Sequence, residues 1–149
     1  MPNNITNCIT LSGTKDAVRH FRKTCFQEDN KTLDFEKIIP PPENMYRGNL
    51  EKKVLQECID AGIPDWLSWQ SSNWGTSKNA FNGWIETENE TIINFAFNTS
   101  WNHPEPIFEK LVELGFEIGV LWQVENDYPI KIWGNGKCRW YTETKFKVI

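Results

Sequence analysis

The sequence predicts an α+β sandwich built from split β-α-β units. Three observations carry that expectation. Strict apolar–polar alternation marks strands at both ends of residues 1–125. Two helix-period stripes follow the first strand and precede the last, and a hairpin pattern lies between them. The chain has 149 residues, one domain's worth. With 24% charged and 39% hydrophobic residues it has the composition of a globular domain rather than a disordered one.

The elements read as follows. Ile5, Ile9 and Leu11 alternate with Thr6, Cys8 and Thr10 as a half-buried strand. Ser12-Gly13-Thr14 ends it and offers Thr14 as a helix N-cap. Ala17, Val18, Phe21 and Cys25 follow at helical spacing, with Arg19, Arg22 and Lys23 on the solvated side, where His20 also falls. Residues 27–48 read as a loop, charged and then interrupted by Pro40-Pro41-Pro42. After Asn49 a second helix is expected, with Leu50, Val54, Leu55, Cys58 and Ile59 as its apolar stripe and Gly62 and Pro64 as its stop. Asp65 can cap a short Trp-rich helix that gives way to a turn at Gly75. Residues 83–87 and 91–98 form a hairpin joined by Glu88-Asn89-Glu90. Pro104 and Pro106 suit the first turn of a third helix, whose apolar positions are Ile107, Phe108, Leu111, Val112 and Leu114. Phe116, Ile118, Val120, Trp122 and Val124 alternate as a strand. A last hairpin pairs residues 130–133 with 137–148 around Gly134-Asn135-Gly136.

This order, with a hairpin set between two β-α-β halves, is that of a ferredoxin-like split β-α-β sandwich. It forms a single domain, 1–149, elaborated by a Trp-rich insertion at 27–82 and a C-terminal hairpin at 128–149. Its helices would cover one sheet face, leaving the insertion or the C-terminal hairpin to cover the other.

The longest apolar stretch, residues 118–122, is far short of the roughly 18 a membrane span needs. The first residues carry no basic segment ahead of a long apolar one, so a cytoplasmic protein without membrane contact is expected. Cys8, Cys25, Cys58 and Cys138 stand far apart, with neither a zinc knuckle nor a redox pair, and read as reduced core thiols. Net charge is −4, but residues 82–126 alone carry −7. That acidic stretch does not make a nucleic-acid footprint and could face a nucleic-acid-binding partner instead.

No motif points to catalysis. The sequence lacks a G-x-S-x-G elbow and a phosphate-cradling glycine loop, and its carboxylates single out no acid–base pair. His103, Glu105 and Glu109 could share one side of a helix start but make an incomplete metal ligand set. A non-enzymatic protein without cofactor or metal is expected.

Aromatic residues are the chemical signal. Eight tryptophans and nine phenylalanines exceed what one small core requires, and Trp and Tyr dominate binding hot spots. Residues 73–80 bring together Asn73, Thr76, Ser77, Lys78 and Asn79 with Trp69, Trp74 and Trp101 as aromatic walls. Such a mixture can stack a ring and bind its edge. The competing reading is that Trp74 and Trp101 plug one end of the core. Toward the C-terminus, Trp133, Trp140 and Tyr141 interleave with Lys131, Lys137 and Arg139. Alternation there places Cys138 and Trp140 on one face and Arg139 and Tyr141 on the other, as in an ordinary two-faced hairpin.

Several of these segments also occur together in a known family. Met1-Pro2-Asn3 with Asn7 and Gly13, Pro40-Pro41-Pro42, Asn73-Trp74-Gly75-Thr76 with Asn79-Ala80, and Phe97-Asn98-Thr99-Ser100-Trp101 with Pro104 and Pro106 stand in the order of the YubB-type ferredoxin-like domain family of plasmids and phages. The chain resembles that family over residues 1–125. It departs from the pattern at Ser77-Lys78, where relatives carry Lys-Trp, and in its C-terminal hairpin. The resemblance implies the fold and a setting in a mobile genetic element.

The expected function is therefore that of a binding protein acting on a host or element-encoded macromolecule, for instance an inhibitor of a host defence nuclease complex. Its contacts are expected among Trp69, Asn73, Trp74, Thr76, Lys78, Asn79, Trp101, Trp133, Trp140 and Tyr141. One alternative is a small-ligand or nucleotide site at residues 73–79 with Trp74 and Trp101. The other is a single-stranded nucleic-acid site on the C-terminal hairpin.

Overall fold

The computed structural model describes residues 3–125 and 130–140. The fold is α+β, with a five-stranded antiparallel sheet and five helices among those residues. In chain order the elements are β1 (Asn4–Ser12), α1 (Lys15–Thr24), α2 (Phe35–Ile38), α3 (Lys52–Ala61), α4 (Trp66–Asn73), β2 (Phe81–Glu88), β3 (Ile92–Ser100), α5 (Glu105–Glu113), β4 (Glu117–Val124) and β5 (Lys131–Gly134). The strands lie in the order β2-β3-β1-β4-β5.

β1 is the centre of the sheet. It pairs with β3 on one side (Asn7 opposite Phe97) and β4 on the other (Asn7 opposite Trp122), so both its edges are hydrogen-bonded. Ile9 and Leu11 enter the main core, while Cys8 enters a second, smaller cluster on the opposite face. Antiparallel neighbours keep this parity. Ile93, Phe95 and Phe97 of β3, with Ile118 and Val120 of β4, join the main core, whereas Ala96 joins the small one.

The main core lies between the sheet and α1, α2 and α5. Thr14 caps α1, its hydroxyl accepting from the Ala17 N–H at 3.2 Å, and the helix buries Val18 and Phe21. α5 buries Ile107, Phe108 and Leu111. Phenylalanines interlock edge to face in this layer: Phe26 lies 5.5 Å from both Phe21 and Phe95, and Phe35 lies 5.6 Å from Phe97. Such geometries add attraction beyond the area buried.

The structure departs from the sequence expectation in three places. Residues 27–48 are more than a loop: they hold α2 and deliver Leu33, Phe35 and Ile38 into the core. The Asp34 carboxylate caps this one-turn helix by accepting from the Glu36 N–H. Second, the apolar stripe of α3 is only partly used. Cys58 is buried, but Ile59 is 71% exposed, because α3 packs on the Met45–Tyr46 region of the insertion rather than on the sheet. Leu114 is likewise exposed at the end of α5. Third, the first arm of the expected C-terminal hairpin forms as β5, but its partner is β4. Residues 137–140 carry no strand, and positions 141–148 of the expected second arm lie outside the described residues.

Residues 137–140 form a strap across the face of the sheet that the helices leave free. Asn135 turns the chain around the edge, its Oδ1 accepting from the Ile118 N–H at 2.7 Å. The strap then crosses Gly119 so closely that any Cβ there would fall on the backbone of Lys137 and Cys138. The Arg139 N–H donates to the Thr10 hydroxyl at 2.7 Å, and the Trp140 indole N–H to the Ile9 carbonyl at 3.0 Å. Trp140 thereby packs on Cys8 and Ala96, edge-on to Trp84. No helix among the described residues is long and apolar enough to cross a membrane.

Candidate functional site

Most of the aromatic surplus is consumed by packing. Trp74 is buried, its indole N–H donating to the Ile39 carbonyl at 2.9 Å and its ring set edge-on to Phe35 and Trp69. Trp66 donates to the Gly48 carbonyl, Trp122 stacks on His103 with centroids 4.1 Å apart, and Trp133 lies against Phe108. Trp84 and Trp140 hold each other. One indole stands apart: Trp101 is 57% exposed.

The segment 73–80 is equally committed. Asn73 donates back to the Trp69 carbonyl at 2.9 Å. Thr76, fully buried, donates to the Ser100 carbonyl at 2.9 Å. The Asn79 carbonyl oxygen accepts from the Phe35 N–H and its amide donates to Asp34, so this side chain serves as a second cap for α2. Lys78 lies over the Phe81 ring at 4.6 Å. Gly75 makes the turn at φ +81° and approaches Pro106 and the His103 carbonyl too closely for a side chain. The structure thus joins residues 73–76 to residues 100–106. Trp133 and Trp140, by contrast, lie on opposite faces of the sheet. Tyr141 lies outside the described residues.

Trp101 follows this buried polar node. Just inside it, the Asn7 amide donates to the Thr99 hydroxyl at 3.1 Å, and that hydroxyl donates to the Asn102 carbonyl. Trp101 itself takes a left-handed backbone, φ +68°, with its N–H donating to the Asn3 carbonyl at 2.8 Å. A bulky residue there carries a steric penalty that most positions avoid. The chain turns on its strained backbone, and the ring goes to solvent. Immediately after it, α5 begins, and Glu105, Glu109 and Glu113 recur one turn apart on its exposed side. An exposed indole therefore stands at the head of an acidic row.

A separate feature lies between α1 and the tip of the β2–β3 hairpin, where a groove of about 730 Å³ opens over Val18 and Ile93. Arg22 closes one side, donating to Glu88 at 2.8 Å and to the Asn30 carbonyl oxygen at 2.9 Å, with its guanidinium 4.7 Å above the Phe26 ring. Lys15 pairs with Glu90 at 3.1 Å. The helical period places Arg19 and Lys23 on the solvated face of α1, and only the tertiary pairing sets the hairpin tip opposite them.

The shifted titrating groups are structural. Asp65 is held below the usual carboxylate range, chiefly by the Ser68 N–H it caps. Asp29 is also lowered: desolvation opposes this, and hydrogen bonds from the Thr32 hydroxyl and the Lys31 and Thr32 N–H groups outweigh it. Burial pushes the Cys25 and Cys138 thiols upward, away from the thiolate form a nucleophile needs. His103 and Glu105 approach to 3.5 Å, but no group of three metal-ligating side chains occurs among the described residues. No protein-family model, curated protein or solved structure matches the chain.

Proposed function

We propose that the chain is a non-enzymatic binding protein of a mobile genetic element. In this reading it occupies a nucleic-acid-associated protein of the host, for instance a defence nuclease complex, through Trp101 and the acidic row of α5. The observation that carries the reading is Trp101, a large ring left in solvent on strained backbone while other indoles of the same chain are packed or hydrogen-bonded. Strain held at a surface position is better accounted for by a contact than by folding. Glu105 and Glu109, with Glu113 partly neutralised by Lys110 at 3.5 Å, supply a field that would steer a basic partner onto the ring. The strand order β2-β3-β1-β4, with α1 and α5 as its crossovers, supports a ferredoxin-like core. The YubB-type motif pattern supports the mobile-element setting.

The test is affinity capture with the full chain as bait, followed by reconstitution with the purified partner. Trp101→Ala is expected to weaken binding by about 2 kcal/mol, roughly thirtyfold, as hot-spot tryptophans do. Replacing the three glutamates by Gln should slow association at low salt and have little effect at high salt. A well-folded bait that recovers no stoichiometric partner overturns the proposal.

A further inference from the structure

α3 is held to the rest of the molecule by little. Of its ten residues only Cys58 is buried; Val54 and Leu55 are half-buried, and Ile59 is 71% exposed. A helix this short is marginal in water on its own propensity and depends on packing. Its charges oppose it further. Lys52 and Lys53 occupy the N-terminal turn and Asp60 the C-terminal one, each against the helix dipole. Gly62, left-handed, closes the last carbonyls, but Glu51 at the N-cap makes no side-chain capping bond. Among the described residues neither lysine nor Asp60 has an ion-pair partner, and Asp60 accepts only the Gln56 amide, at 2.9 Å.

The placement of these groups names what would satisfy them. Val54, Glu57, Cys58 and Ala61 turn to the groove shared with Met45 and Tyr46. At about 100° per residue the opposite side is a solvated stripe. One flank of that stripe is apolar, Leu55 and Ile59; the other carries Lys52, Gln56 and Asp60, with Lys53 beside them. Lys52 and Asp60 are about 12 Å apart along the axis, too far to pair within one helix. The stripe is complementary to itself when reversed. Two copies laid antiparallel, crossing level with Gln56, bring Ile59 of each against Leu55 of the other. A two-fold axis carries each flank onto its own counterpart, so each Asp60 lies opposite Lys52 and Lys53 of the other copy. The negative C-terminal end of each helix then lies beside the positive N-terminal end of its neighbour. A uniformly basic or uniformly acidic partner would meet like charge at one end. We infer that α3 is the contact through which two copies of this chain associate. One short helix from each copy makes a small interface, so the dimer is reversible.

The experiment is sedimentation velocity and light scattering on the full chain. Its mass should rise from monomer toward dimer, reversibly, between about 10 μM and about 1 mM. Ile59→Asp, at an exposed position, should leave thermal unfolding unchanged and weaken association at least about tenfold. Asp60→Lys in one protein, and Lys52→Glu with Lys53→Glu in another, should each weaken self-association, although both changes suit the helix dipole and should not lower the melting temperature. Mixing these two proteins should restore association to at least wild-type strength, since every charge then meets its opposite across the axis. Trp101→Ala should leave dimer formation unchanged, so this result and partner capture are read separately. A chain still monomeric at about 1 mM would leave the stripe to a different protein and overturn the assignment. Equal association by Ile59→Asp, or no rescue in the mixture, would place the contact elsewhere and overturn it as well.

Discussion

The two faces of the sheet are covered in opposite ways. On one, α1, α2 and α5 bring a continuous layer in which Phe21, Phe26, Phe35, Phe95, Phe97 and Phe108 support one another. On the other, the strap at residues 137–140 lays Trp140 over Cys8 and Ala96 and is held to β1 by hydrogen bonds from Arg139 and Trp140 and by the Cys138 thiol. The first face is redundant in partners and has no room to relax. The second depends on the Trp84–Trp140 pair and on a segment that crosses the sheet without pairing as a strand. Residues of similar burial should therefore differ in what their loss costs.

Phe95→Ala is the hardest blow to the first face. It removes a ring packed on Phe21, Phe26 and Phe97, and the helices above cannot collapse into the space. A loss of about 4–5 kcal/mol is expected in urea or guanidinium unfolding, the upper part of the range for such truncations. Trp140→Ala should cost less, about 3 kcal/mol, because the strap can shift to refill the gap. Trp140→Phe should cost about 1 kcal/mol, the indole hydrogen bond to Ile9 being the main loss. The same variants sharpen the comparison through Cys138. Its thiol is half-buried under the strap and raised in pKa by burial, so alkylation should be slow in the wild type and faster in Trp140→Ala. Equal costs for Phe95→Ala and Trp140→Ala would mean that the strap is as rigid as the helical layer.

This difference also marks what could be read from residues alone. β1, α1, α5 and β4 were legible because their apolar residues recur at strand or helix spacing on the side turned to the main core. α2 was not, since a single turn has no period, and its core residues Leu33, Phe35 and Ile38 sit in a charged, proline-bounded stretch. Nor was the partner of β5: the Gly134-Asn135-Gly136 signal marks a turn, but pairing is decided by which edge is near, and Asn135 ties that turn to Ile118. Among the candidate site residues, local sequence gave Trp74 and Trp101 the same weight. Long-range contacts separate them, leaving the first 1% exposed and the second 57%. The groove over Val18 and Ile93 has no linear signature at all, because its walls are about seventy positions apart in the chain.

A smaller effect belongs to the helix caps of the insertion. Asp65→Ala removes the acceptor for the Ser68 N–H at the start of α4 and should cost about 1 kcal/mol. The acid dependence follows from the direction of the shift. A carboxylate whose folded pKa lies below its unfolded value near 3.8 stabilises fully above that value, and the stabilisation is lost as pH falls through the folded pKa. The gap between wild type and Asp65→Ala, measured by denaturant unfolding, should therefore be larger at about pH 6 than at about pH 3. A gap independent of pH would assign the cost to packing rather than to the charged cap.

The smallest change expected in folding is at Trp101, and its sign is informative. A left-handed backbone costs a residue with a Cβ about 1–2 kcal/mol. Glycine takes that conformation freely, and gives back about 0.5–1 kcal/mol through its looser unfolded chain. The ring makes no ring–ring contact among the described residues, and Trp101 is 57% exposed, so the packing lost with it is confined to its covered part. Trp101→Gly should then leave unfolding free energy unchanged or raise it by up to about 1 kcal/mol. Set beside Trp140→Ala, the comparison becomes a division of labour: one indole whose loss costs stability, and one whose retention costs it. A fall of more than about 1 kcal/mol in Trp101→Gly would place that ring with the packed ones and remove the reason for assigning it a partner.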